Sequence, residues 1–152
     1  MSKNQFPALG ESLKRSIRIT LVILDEMLCD FEEIARGRAR RSLLFTEHNP
    51  LSDGQRGAIL EKTGQMRVLM QELMTALALE AETHDLSREI FGRGSAFWAH
   101  LVDTESKGLT RYGETPEGFA EYIDPRIEAL IRDLDSITRI AHRQTDDGRP
   151  SS

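Results

Sequence analysis

Cysteine is nearly absent from this chain of 152 residues: Cys29 stands alone, beside 5 prolines and 9 aromatic residues. One thiol can neither close an internal disulfide nor build a cysteine zinc site, and it fits a reducing compartment. Long apolar runs are missing as well. The longest, Ile19 to Leu24 with Thr20 inside it, has six residues, against the roughly 20 that a membrane-spanning helix needs. The opening Met1-Ser2-Lys3-Asn4-Gln5-Phe6-Pro7 lacks the apolar stretch and small-residue cleavage site of a secretory signal. The expectation is therefore a cytoplasmic protein with no membrane partner. Alternating runs of β-branched and aromatic residues, the mark of strands, do not occur either.

What is present is 39% apolar and 30% charged residues, the composition of one globular domain. At this length folding hides about 70% of the surface of the extended chain, so a core needs neither disulfide nor metal. The net charge of -5 is a sum of unlike blocks. Residues 1 to 24 carry Lys3, Lys14, Arg15 and Arg18 against Glu11; residues 25 to 35 carry Asp25, Glu26, Asp30, Glu32 and Glu33; residues 36 to 41 carry Arg36, Arg38, Arg40 and Arg41. An acidic chain with one short basic segment argues against a general binder of nucleic acid or anionic lipid, and leaves room for one local anion contact.

Helical periodicity runs through the chain. Leu13, Ile17, Thr20, Leu24, Met27, Phe31 and Ile34 are spaced by fours and threes, a bundle seam. Gly37 and the arginines stand where that helix should end, and the linker Ser42 to Ser52 holds Asn49-Pro50. A second seam is Ile59, Thr63, Met66, Met70, Leu73 and Leu77, with Ser52 or Asp53 as its N-cap. The apolar bearing then changes between Leu77 and Leu86, to a stripe of Leu79, Leu86, Ile90, Phe97 and Leu101, which places a turn at Glu82 to Asp85 and starts a third helix there. One long helix broken at Gly92-Arg93-Gly94 is the alternative; inside a helix those glycines mark a kink or a close backbone approach. Lys107 to Glu114 reads as a loop, and Thr115-Pro116-Glu117 as N-cap, first-turn proline and acidic first turn. The last seam is Ile123, Ile127, Leu130, Leu134, Ile137 and Ala141. Phe119 is in phase with it, so Pro125 kinks one helix or begins a separate one.

These stripes predict an all-α fold, an up-and-down antiparallel four-helix bundle with a kinked last helix. Its helices fall near 8 to 36, 53 to 82, 86 to 107 and 116 to 143, in one domain over 1–145 with a disordered polar tail at 146–152. Leu24, Phe31, Met70, Leu73, Phe97, Leu101, Leu130 and Leu134 should fill the central layers. No family motif can be laid on these residues, and the fold by itself names no activity.

Candidate chemistry is thin. The Glu-x-x-His pairs of a di-iron bundle do not occur, and Glu80 with His84 offers only two ligands, so no metal and no cofactor are expected. His100 is followed one turn on by Asp103 and Thr104, which suit no phosphoryl group; His48 and His142 read as surface histidines. Cys29 lies among carboxylates that disfavour its thiolate. Gly92-x-Gly94 has neither a preceding strand nor a Gly-Lys-Ser/Thr. No catalytic residues are expected. Two surfaces remain. Ile19, Val22 and Cys29 point away from the first seam on a helix that is apolar almost all round, which predicts contact with another protein or a second copy, unless the linker Ser42 to Ser52 covers them. Arg36, Arg38, Arg40 and Arg41 could fork onto anionic oxygens. The reading is a non-enzymatic interaction protein, an adaptor, regulator or small structural subunit. The alternative is a helical subunit of a nucleoprotein or defence-type complex touching a nucleic-acid backbone through the four arginines.

Overall fold

The computed structural model describes residues 4–146, so the tail expected at 146–152 lies, from residue 147 on, outside the described residues. Among the described residues every named element is helical, and the sole β feature is an isolated bridge between Arg41 and Thr46. The chain folds as two compact units, residues 1–82 and 83–152.

The first unit is an antiparallel hairpin of α1 (Glu11–Ala35) and α2 (Asp53–Leu77). α1 stops where the sequence provides for it: Gly37, at φ +99°, takes a left-handed conformation that a residue with a Cβ adopts only under strain, and its N–H bonds the Ile34 carbonyl at 3.0 Å. The linker then folds back, with Asn49 Nδ2 donating to the carbonyls of Ile34 at 2.7 Å and Arg38 at 3.3 Å. Ser52 is the cap of α2, through a reciprocal box in which Gln55 N donates to Ser52 Oγ and Ser52 N to Gln55 Oε1. α2 ends five residues before its expected limit because Ala78 turns left-handed, at φ 51°, and Leu79 N closes onto the Met74 carbonyl.

The second unit pairs α3 (Leu86–Asp103) with α5 (Phe119–Asp146), joined by the single turn α4 (Ser106–Leu109) and a 3-10 turn, Thr110–Tyr112. Asp85 caps α3 by accepting from Ser87 N at 3.0 Å. α3 is continuous through Gly92-Arg93-Gly94, so of the two sequence alternatives the separate third helix is the one formed. The stretch read as a loop is instead mostly helical turn: Asp124 accepts from both Ser106 N and Ser106 Oγ at 2.7 Å, tying the start of α4 to α5. Those two donors hold the Asp124 carboxyl below its ordinary pKa. The start signal at Thr115-Pro116-Glu117 fails. Pro116 to Phe119 is a turn with Gly118 at φ +81°, and α5 begins only at Phe119. From there α5 runs through Pro125 as one helix, so no separate helix begins at Asp124.

Each hairpin buries little. Leu28, Ala35 and Thr63 are the buried residues of the first, and Ile127, Thr138, Ala141 and Gly94 of the second. Gly94 explains how closely α3 and α5 approach: a Cβ there would lie 2.4 Å from Thr138 Cγ2 and 3.4 Å from Leu134 Cδ1. Gly92 has nothing within 4 Å of the same position, so only one glycine of the pair is spent on packing.

Candidate interaction surfaces

Three of the four arginines are engaged within their own segment. Arg38 Nη1 lies 2.5 Å from Glu33 Oε2, Arg36 Nη1 lies 3.6 Å from Glu32 Oε2, and Arg40 bonds Glu47 through Nε at 2.7 Å and Nη2 at 2.6 Å. The fork of Arg40 holds the Glu47 carboxyl below its usual range. Its guanidinium also lies over the Phe45 ring, 5.8 Å from the centroid. Arg41 is exposed and contributes its backbone to the bridge with Thr46. The segment is thus tied down by its own carboxylates and does not gather four forks around one anion.

The tip it supports is apolar. Ser42 N bonds the Phe45 carbonyl and Glu47 N the Arg40 carbonyl, both at 2.9 Å. At this tip Leu43 is 97% and Leu44 91% exposed. The linker therefore does not fold over the outer side of α1. Of the residues expected to point away from the seam, Ile19 is exposed and Val22 half-buried, whereas Cys29, though exposed, is turned toward α2 rather than away from it, since Arg67 of α2 bonds its Sγ.

Cys29 also belongs to a cluster that periodicity alone did not reveal. Arg67 of α2 reaches across to α1, where its Nε donates to Glu32 Oε1 at 2.7 Å, its Nη1 to Asp25 Oδ1, and its Nη2 to Cys29 Sγ at 3.4 Å. Asp25, Cys29 and Glu32 follow at steps of four and three, so one helical face offers all three to one guanidinium. Arg67 lowers the pKa of Glu32, first by hydrogen bonding, and is itself held more firmly protonated. A signal existed in the sequence: Arg67 falls in phase with Thr63 and Met70, where a seam facing an acidic block accepts a cation.

The seams themselves need correcting. On α1 the residues turned to α2 include Lys14, Leu21, Leu28 and Ala35, one step round from the expected stripe. Leu13, Met27 and Phe31 of that stripe are exposed, and so is Ile23 beside them. On α2 the expected residues are largely covered, but Leu69 and Leu73 are open. On α3 the covered positions are Ser87, Gly94 and Leu101, while Leu86, Ile90 and Phe97 stand out. On α5 Ile127, Leu134, Thr138 and Ala141 are covered or half-covered, while Leu130 and Ile137 are exposed. Of the eight residues expected in the central layers, Leu24, Met70, Leu101 and Leu134 are half-buried, and Phe31, Leu73, Phe97 and Leu130 are exposed. At about 100° per residue, each open stripe lies roughly a quarter turn from its covered seam. The rotation has the same sense on both helices of a hairpin, so in an antiparallel pair the two open stripes lie on one face. Each hairpin is a two-helix layer with one apolar face uncovered by its own partner helix.

The remaining candidates stay apart. Among the described residues no three His, Cys, Asp or Glu side chains converge as metal ligands, Glu80 and His84 included. His100 borders a shallow cleft of about 380 Å³ with Phe97, Asp103, Arg111 and Tyr112, where Arg111 Nη2 lies 3.6 Å from Asp103 Oδ2. Comparison with family models, with curated proteins and with solved structures gives no match. No described helix is long and apolar enough to cross a membrane.

Proposed function

We propose that the chain is a non-enzymatic interaction protein, an adaptor, regulator or small structural subunit of a larger assembly, that works through the open apolar faces of its hairpins. One observation carries this: on α1, α3 and α5 an apolar stripe, and on α2 the pair Leu69 and Leu73, lies exposed about a quarter turn from the covered seam. Units of 82 and 70 residues are at the size where a single core rarely supplies more than about 3 to 5 kcal/mol, and these cores are sparse. Contiguous open apolar faces of this kind mark protein contact sites. The finer fold that this reading carries is an up-and-down four-helix bundle over residues 1–145 with its last helix kinked at Pro125. Nucleic-acid contact through Arg36, Arg38, Arg40 and Arg41 has less behind it, because three of these guanidiniums already have carboxylate partners.

The test is solution mass and co-purifying proteins for the wild type against a Met27→Glu, Ile137→Glu double variant, with helicity checked by circular dichroism. The expected outcome is loss of assembly with helicity kept. An unchanged assembly would sink the reading, and a salt-dependent gel shift with short RNA or DNA would favour the arginine segment instead.

A further inference from the structure

The first hairpin carries an apolar knob at one end and an apolar cleft at the other. At the knob Leu43 and Leu44 stand almost wholly in water, although the loop that holds them is tied down. Ser42 N–H donates to the Phe45 carbonyl, Glu47 N–H donates to the Arg40 carbonyl, and Arg40 forks onto Glu47. A tip ordered in advance loses little conformational freedom when it is buried. Arg40 and Glu47 cancel in charge, so the tip carries the charge of Arg41, which is exposed and makes no side-chain hydrogen bond or ion pair among the described residues.

The cleft lies at the far end of α2. Leu69, Glu72, Leu73 and Ala76 are spaced 3, 1 and 3 and share one helix face. Gln5, whose N–H donates to the Ala76 carbonyl at 2.9 Å, walls the space beside them, a volume of about 720 Å³. Leu69 and Leu73 are exposed in it. Among the described residues that line it, Glu72 alone is charged, and its carboxylate is exposed and likewise unpaired. Knob and cleft therefore match in shape, in polarity and in the sign of their free charge. They cannot meet within one chain, because the stretch of α2 from Asp53 to Leu73 holds them roughly 30 Å apart.

We infer that a second copy of this chain docks its Leu43-Leu44 tip in the cleft at Leu69, Leu73 and Ala76, with Arg41 beside Glu72. This rests on the reading of the open faces as interaction surfaces and names what the cleft on one of them takes. Because knob and cleft lie at opposite ends of one helix, a two-fold axis across the middle of α2 makes both contacts at once. The pair is then closed, and every contact occurs twice.

Sedimentation equilibrium of the full chain, combined with introduced thiols in a Cys29→Ser background, tests the inference. The wild type should be a dimer at micromolar concentration. Leu43→Ser with Leu44→Ser should make it a monomer with unchanged circular dichroism, since both side chains already stand in water in the single chain; a dimer of unaltered affinity overturns the proposal. A mixture of Leu44→Cys and Leu73→Cys proteins should form a disulfide between the two under mild oxidation. Neither should form one with itself, because the two tips of the pair stay roughly 30 Å apart and a disulfide needs Cβ atoms about 4 Å apart. A disulfide formed by either protein alone overturns the docking of tip in cleft. Arg41→Glu and Glu72→Arg should each weaken the dimer about tenfold, because each change acts twice. Together they should restore it, and failure to recover overturns the pairing. A monomeric wild type whose Leu73→Cys thiol reacts freely with a maleimide would overturn the second copy but leave the face open to another protein. A monomer whose introduced thiol is protected would overturn both readings.

Discussion

The two hairpins solve one packing problem by opposite means. In the first, α1 and α2 are bridged by a long side chain, Arg67, that spans the gap to three groups on the facing helix. In the second, α3 and α5 close on the absence of a side chain at Gly94, against the methyl of a buried Thr138. A guanidinium bridge is directional, tolerant of distance, and sensitive to protonation of its acceptors. A glycine contact responds to volume alone. The lesson is that equal helical periodicity in the two halves says nothing about which force sets the spacing of the pair.

The largest expected effects come from volume. Leu28, 1% exposed, is the best-buried side chain of the first hairpin, and Leu28→Ala should cost about 2 to 5 kcal/mol in chemical denaturation. Leu73→Ala on the open face of the same unit should cost under about 1 kcal/mol at high dilution, and more as concentration rises if the face is occupied. Equal costs at all concentrations would erase the distinction between covered seam and open stripe.

Next comes the glycine pair. Gly94→Ala drives a Cβ into Thr138 Cγ2 and should destabilise the second hairpin by about 1 to 3 kcal/mol, despite better helix propensity. Gly92→Ala meets nothing and should stabilise it by up to about 1 kcal/mol. Trp98, Tyr112 and Tyr122 all lie in this half of the chain, so intrinsic fluorescence reports on it alone. A loss at Gly92 equal to that at Gly94 would show that the close approach is not what holds α3 to α5.

The smallest effect is electrostatic. The Glu32 pKa is depressed in the folded state by Arg67, so its contribution is complete above the ordinary carboxylate value near 4.5. It is lost as the pH falls through the depressed value. The stability difference between wild type and Arg67→Gln, followed by circular dichroism, should be widest near neutrality and shrink toward pH 3. The fluorescence of the second unit should give no such difference. A pH-independent gap would mean that Arg67 acts by packing its stem.

Much of the local structure was legible in the sequence. Ser52 and Gly37 mark helix ends by chemistry that needs no neighbours: a hydroxyl for an orphan N–H, a missing Cβ for a left-handed turn. Thr115-Pro116-Glu117 misled because the same residues that start helices also make turns, and Gly118 resolved the choice in favour of a turn. The candidate surface was legible in part. Ile19 is exposed as expected, but the open stripe runs through Leu13, Met27 and Phe31, which periodicity had assigned to the seam, and Cys29 of the expected surface is turned to Arg67 instead. The Arg67 bridge was missed because an acidic block reads equally as a solvated face until a cation is placed opposite it.

The sequence by itself determined that the chain is helical, where most helices begin and end, and which positions are apolar, because hydrogen bonding within a helix and the 3.6-residue period are local properties. Only the tertiary structure decided which edge of each broad stripe is covered, since a stripe wider than one seam accepts a partner at either edge. On α1 that choice went to Leu28 and Ala35 and left Met27 and Phe31 open, with Arg67 meeting Asp25 and Glu32 on the covered side.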